Sequence, residues 1–190
     1  MSPILGARGG LSAKAYGFTS AVAAATSYES IATVTVGSGG SSSVTFSSIP
    51  STFTHLQIRG ISKGTSSATN AILRFNGDTA SNYSFHILYG NTGGAQVTGA
   101  GGNGFIYIGN QSATANTFSA EIIDILDYSS TSKNKTVRAL CGYENNSDGE
   151  SGLFSGGWFN SSTAISSITL SLTATFSQYS QFALYGIKGA

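Results

Sequence analysis

Charge is what this chain has least of. Nine Lys and Arg and eight Asp and Glu make up 9% of 190 residues, against roughly a quarter in an ordinary soluble domain. The formal net charge is +1, and the tightest basic group is only Lys133, Lys135 and Arg138. That excludes the clustered footprint of a nucleic-acid binder. The single cysteine, Cys141, excludes an intrachain disulfide framework. Its place in the apolar run Val137, Ala139, Cys141 marks it as a small core side chain. No run approaches the ~18 apolar residues of a membrane-spanning helix, so membrane insertion is not expected. Ala21–Ala25 resembles a signal cleavage site, but Gly, Ser and Lys interrupt every candidate apolar region before it.

Groups that move protons or hold metals are equally scarce. The two histidines, His55 and His86, lie out of phase with apolar neighbours and have no motif-spaced Cys, His or carboxylate. Both read as structural or surface residues. Glu144–Glu150 superficially resembles a calcium loop, yet it lacks the full acidic spacing and consists of ordinary turn formers. No metal is expected there. Glu121 and Asp124 are three apart, so a strand sends them to opposite faces and they form no carboxylate pair. Asp124, set among Ile122, Ile123, Ile125 and Leu126, is expected to bridge to Arg138, because a buried charge needs a partner. Gly101-Gly102-Asn103-Gly104 is no phosphate cradle, since no Lys follows and no helix opens after it. The chain reads as non-enzymatic, without catalytic residues and without a cofactor.

In place of charge stand Ser, Thr, Gly and aromatics in short alternating runs. Ala32, Val34 and Val36 alternate with threonines, and Val44 and Phe46 resume after a Gly-Ser turn. Leu56 and Ile58 follow, then Tyr83, Phe85, Ile87 and Tyr89. Later runs are Phe105–Ile108, Phe118–Leu126, Thr136–Tyr143, Leu153–Phe159, Ile165–Leu172 and Phe182–Ile187. About ten short strands with turn chemistry between them predict an all-β fold. Its expected form is a jelly-roll-like antiparallel β-sandwich over residues 28–190. The last run reads as a central strand rather than a tail. Asn76-Gly77 predicts a hairpin between Ile72–Phe75 and Tyr83–Tyr89. Gly90–Gly104 predicts a long glycine-rich loop, and Glu144–Glu150 a second polar one. No convincing helix and no solenoid repeat is present.

Residues 1–27 have neither period, and their glycines and single proline predict an extended N-terminal arm. Leu5, Arg8, Leu11, Lys14, Tyr16 and Phe18 are its candidate attachment side chains. Aromatics make up 11% of the chain, most at inward-alternating positions. Trp158, the only tryptophan, with Tyr107, Tyr143 and Tyr179, are the candidate glycan or partner contacts.

Several phrases carry a resemblance. They are Ser30-Ile31-Ala32-Thr33-Val34-Thr35-Val36, Ile49-Pro50-Ser51-Thr52-Phe53-Thr54-His55-Leu56-Gln57-Ile58-Arg59-Gly60, and Leu73-Arg74-Phe75-Asn76-Gly77-Asp78 with Asn82-Tyr83. Asp124-Ile125-Leu126-Asp127-Tyr128, Lys133-Asn134-Lys135-Thr136-Val137-Arg138 and the ending Phe182–Lys188 continue it. Gly9–Phe18 is similar to the short arm of such proteins. Together these resemble a family of tailed-bacteriophage virion structural proteins, described as minor tail or fibre-like. The resemblance implies a location in the phage particle and no catalytic motif. It also implies self-association, expected as a homotrimer, and partners among the tail, baseplate or major capsid proteins. A tail-fibre or appendage subunit that binds the host surface is the leading expectation. A capsid decoration protein is the alternative, and a carbohydrate-binding module that takes a host-surface glycan is the third.

Overall fold

Alternation of apolar with hydroxyl-bearing residues makes strands that are dry on one face and wet on the other, and two such sheets bury their dry faces together. The computed structural model describes residues 27–66 and 69–189 and is built that way. Twelve strands run in chain order: β1 Tyr28–Thr35, β2 Ser41–Phe46, β3 His55–Ser62, β4 Thr69–Phe75, β5 Tyr83–Asn91, β6 Gly94–Asn103, β7 Ile106–Gln111, β8 Ser119–Leu126, β9 Lys135–Tyr143, β10 Glu150–Trp158, β11 Ile168–Phe176 and β12 Gln181–Ile187. No helix is present among the described residues. The fold is an all-β, jelly-roll-like sandwich. The arm at residues 1–27, with its six candidate side chains, falls outside the described residues except for Ser27.

The large sheet has eight strands in the order β1-β12-β3-β8-β9-β10-β5-β6, and the small sheet has four, β2-β11-β4-β7. All pairings between strands are antiparallel. β12 lies between β1 and β3, as expected of the apolar last run. Inward residues of the large sheet, among them Leu56, Ile58, Ile123, Ile125, Val137, Phe154 and Leu184, meet Val44, Phe46, Leu73, Phe75, Ile106, Ile168 and Leu170 of the small one. Cys141 is buried with them, as expected.

Two turn expectations need correction. Asn76 and Gly77 do adopt positive φ (53° and 68°) and close a turn from Asp78 N–H to the Phe75 carbonyl at 2.9 Å. The flanking strands do not pair, however. β4 belongs to the small sheet and β5 to the large one. Asp78 redirects the chain, accepting hydrogen bonds from Ala80 N–H (2.9 Å), Asn82 Nδ2 (2.9 Å) and the Trp158 indole (2.7 Å). Gly90–Gly104 is not a loop either. Asn91 and Gly94 close a hairpin over Thr92-Gly93, and β6 pairs with β5 along its length. Its glycines gain little from packing, since β6 is exposed on nearly every residue of both faces. The ladder of β5 alone holds it, at the free edge of the sheet.

Candidate functional site: the outer face of the large sheet

Four strands carry an apolar pair at mid-strand: Ile87-Leu88, Ile122-Ile123, Ala139-Leu140 and Leu153-Phe154. Successive side chains point to opposite faces, so one of each pair must leave the core. Ile87, Ile123, Ala139 and Phe154 are buried, and Leu88, Ile122, Leu140 and Leu153 stand on the outer face. Register aligns these outward residues. Val97 of β6 faces Leu88, Leu88 faces Leu153, Leu153 faces Leu140, and Leu140 faces Ile122. The result is a ridge of five aliphatic side chains across five strands. Their exposures run from 38% at Ile122 to 78% at Val97. At ~4.8 Å per strand the ridge is roughly 19 Å long.

The rows on either side differ from it and from each other. Two residues along each strand lies a row of small side chains: Ala95, Gly90, Ser151, Gly142 and Ala120, again in direct register. This row is a shallow groove beside the ridge. Glu144 lies beyond it, its carboxylate over Gly149. On the other flank run Gly99, His86, Ser155, Arg138 and Asp124. Arg138 and Asp124 face each other, but no ion pair forms between them. Asp124 accepts from Gln57 Nε2 at 2.7 Å instead, in a network that includes Tyr28 and Arg59. Lys133 pairs with Asp127 at 2.9 Å. Lys135 is buried, donating to the Lys133 and Asn160 carbonyls at 3.0 Å each, and burial pulls its pKa down. Like Arg59 and Asp124, Arg138 and Glu144 have no ion-pair partner among the described residues, but Arg59 and Asp124 are held by Gln57.

Of the two β8 carboxylates, Glu121 is buried beneath this face on the inner side, while Asp124 is on the outer side. Glu121 accepts from Gln111 Nε2 at 2.8 Å and meets the Ser62 hydroxyl, which also meets Gln111 Oε1. One hydroxyl proton cannot serve two acceptors, so a protonated Glu121 donating to Ser62 completes the cycle. Burial pushes the Glu121 pKa up to about 7. A second interior group links Tyr107, Asn110 and Glu150, with Asn110 Nδ2 donating to both Glu150 oxygens at 2.9 Å. Burial, then Asp148, raises Glu150, and burial raises the Cys141 thiol strongly. The pentapeptide Gly60-Ile61-Ser62-Lys63-Gly64 has the spacing of a nucleophile elbow, a match that reading the sequence missed. A nucleophile elbow sits on an exposed strand-to-helix turn. Ser62 is instead fully buried at the end of β3.

The aromatic candidates do not come together. Trp158 is 1% exposed, its ring beside Phe75 and Tyr83 and its N–H spent on Asp78. Tyr107 is also buried, against Phe85 and Phe154. Neither offers a ring face to a glycan, because both point inward from the sheets. Tyr143 is half-buried beside a polar cleft of about 300 Å³ lined by Asn91, Asn110, Asp148 and Glu150. Tyr179 is 68% exposed on the β11–β12 turn, at positive φ. His55 is fixed by the Asp127 N–H (3.0 Å), whereas His86 stands on the outer face beside the ridge. In the Glu144–Glu150 loop, Asn145 Oδ1 accepts from Ser147 and Asp148 N–H, and Glu150 turns inward. Among the described residues no three His, Cys, Asp or Glu side chains converge as metal ligands.

Strand periodicity does not reveal the ridge when only one phase of each run is followed. The four apolar pairs at mid-strand were the available signal, since a strand with one wet face has no use for the second member. Compared with protein-family models and with curated protein sequences, the chain matches none.

Proposed function

We propose that the chain is a non-enzymatic structural subunit of a tailed-phage virion, an appendage or tail-fibre component attached through residues 1–27. The phrases spread from Ser30 to Lys188 support the virion reading. The observation that carries the assembly role is the outer face of the large sheet, where five aliphatic side chains line up in register and remain exposed. Contiguous apolar surface rimmed by polar residues marks a place where another macromolecule sits. A face with few charges associates at low desolvation cost. Glu121 and Glu150 are both engaged by side-chain amides in the interior, which suits a structural use.

Immunogold labelling of intact particles with antibody against residues 28–190 tests this. Label confined to the tail or its tip is expected. Label spread over the head would replace the appendage with a decoration protein. Absence of the protein from purified particles by mass spectrometry would overturn the virion reading altogether.

A further inference from the structure

We infer that the ridged face of the large sheet binds a second copy of the same chain, ridge into groove, about a two-fold axis. The ridge and the groove are parallel rows on one face, two residues apart along every strand, or roughly 7 Å. Consider a rotation axis that lies midway between them, runs along the ridge direction and sits just above the sheet. It carries the ridge of one copy over the groove of the other, and the reverse, in one step. Val97, Leu88, Leu153, Leu140 and Ile122 then meet Ala95, Gly90, Ser151, Gly142 and Ala120 of the second copy, strand upon the same strand. Sheet twist is a progressive rotation about this same direction. A two-fold along it preserves the twist, so the two faces follow each other over the whole ridge.

Charge supports the same operator. The axis that exchanges ridge and groove also exchanges the rows outside them. Arg138 on one flank and Glu144 on the other belong to β9 and its end, at the same position across the sheet. Each Arg138 is therefore brought to the Glu144 of the other copy, twice by symmetry. Arg59 and Asp124 on this face are engaged by Gln57, whereas Arg138 and Glu144 make neither an ion pair nor a side-chain hydrogen bond among the described residues. Size agrees too. Five strands at ~4.8 Å and the residues from Arg138 to Glu144 at ~3.4 Å span roughly 24 by 24 Å. The projection is on the order of 600 Å² before side-chain relief, near the ~800 Å² per partner of a standard interface. A two-fold contact of a face with itself closes at two copies. It thus assigns this face to a dimer rather than to the trimer that the resemblance implies. The inference requires nothing about where on a particle the protein sits.

The test is sedimentation velocity on the full chain from about 0.1 to 100 µM, with a thermal melt of each variant. The wild type should be a dimer. Leu153→Asp places a carboxylate in mid-ridge and should weaken the dimer by about 30-fold or more, the scale of a central hot spot. Thr169→Asp on the opposite sheet should leave it unchanged. Glu144→Arg should weaken it, and adding Arg138→Glu should restore it. Should Leu153→Asp melt early, Ser151→Arg, which fills the groove from an exposed position, takes its place. A wild type monomeric at 100 µM, or an oligomer of any size unmoved by folded Leu153→Asp and Ser151→Arg, would overturn the inference. Failure of the double charge exchange to restore what Glu144→Arg loses would overturn the two-fold register.

Discussion

The two sheets turn outward faces of opposite kinds to their surroundings. On the small sheet, Thr45 of β2 faces Thr169 of β11, which faces Arg74 of β4, and Ser43, Ser171 and Ile72 form the next row. The Thr45 and Thr169 hydroxyls lie 3.1 Å apart in hydrogen-bonding contact. On the large sheet the corresponding central row is Val97, Leu88, Leu153, Leu140 and Ile122. Both faces carry few charges, Arg74 on one and Arg59, Asp124 and Arg138 on the other, but only the large sheet carries an unbroken row of exposed aliphatics. Strand propensity explains neither choice, since threonine and the aliphatics are all acceptable in strands. A hydroxyl face is complete in water. A row of aliphatics is not, and each such side chain, with 38–78% of its surface still exposed, would gain roughly 1–2 kcal/mol if that remainder were removed from water.

The largest break in this comparison comes within one strand. Phe154 and Leu153 are neighbours in β10, one 3% and the other 58% exposed. Phe154→Ala should cost about 3–5 kcal/mol by opening a cavity beneath Tyr107. For a chain of this size that lowers Tm by roughly 10 °C. Leu153→Ala, measured at a protein concentration low enough to keep the chain monomeric, should stay within about 0.5 kcal/mol. Its cost should grow with concentration, because a partner that binds only the folded state raises Tm by mass action. Calorimetry on the two variants over a hundredfold range of concentration separates an interior role from an interfacial one. A Leu153→Ala cost as large as that of Phe154→Ala at low concentration would erase the distinction between the faces.

The next effect sits between the two faces. The Glu121 pKa is raised from 4.5 to about 7 by burial. The folded state therefore binds a proton more tightly than the unfolded chain. Stability from this group is fully present below pH 4.5 and is lost as pH rises through about 7. The loss is on the order of 3 kcal/mol by pH 8 to 9. Glu121→Gln keeps the contacts to Ser62 and Gln111 without a titrating proton. It should match the wild type near pH 4.5, exceed it near pH 8, and flatten the denaturant midpoint between. A wild-type profile level across that range would show Glu121 ionised in the fold.

How much of this was legible varies with what fixes each feature. β8, β9 and β12 follow directly from period two because one face is continuously buried, as Glu121, Ile123 and Ile125 are. β6 was not legible. Gly94–Asn103 has neither pattern nor packing and is a strand only because β5 offers it an edge. Asn76-Gly77 gave its turn correctly, but a two-residue signal cannot say which sheet the next strand joins. Trp158 misled through its type. A lone tryptophan suggests a platform, and here its N–H is a buried anchor for Asp78. The carboxylates were misassigned for a similar reason. Glu121 is the buried one, and only the register with Ser62 and the reach of Gln111 show how its burial is tolerated.

The smallest effect tests the face that is already complete. Thr45 and Thr169 hydrogen-bond to each other, yet both hydroxyls also reach water. Removing one exchanges a protein partner for a solvent one, so Thr45→Ala or Thr169→Ala should cost under about 1 kcal/mol. The coupling between them in a double-mutant cycle should be only a few tenths of that. Neither change should depend on protein concentration, because no partner is needed to finish a hydroxyl surface. A double-mutant cycle run by chemical denaturation at two concentrations checks both points. A coupling of 2 kcal/mol, or a cost that grows with concentration, would mean that the small sheet is also covered in the assembled protein. The asymmetry between the two outer faces would then be one of chemistry alone, since both would serve as interfaces.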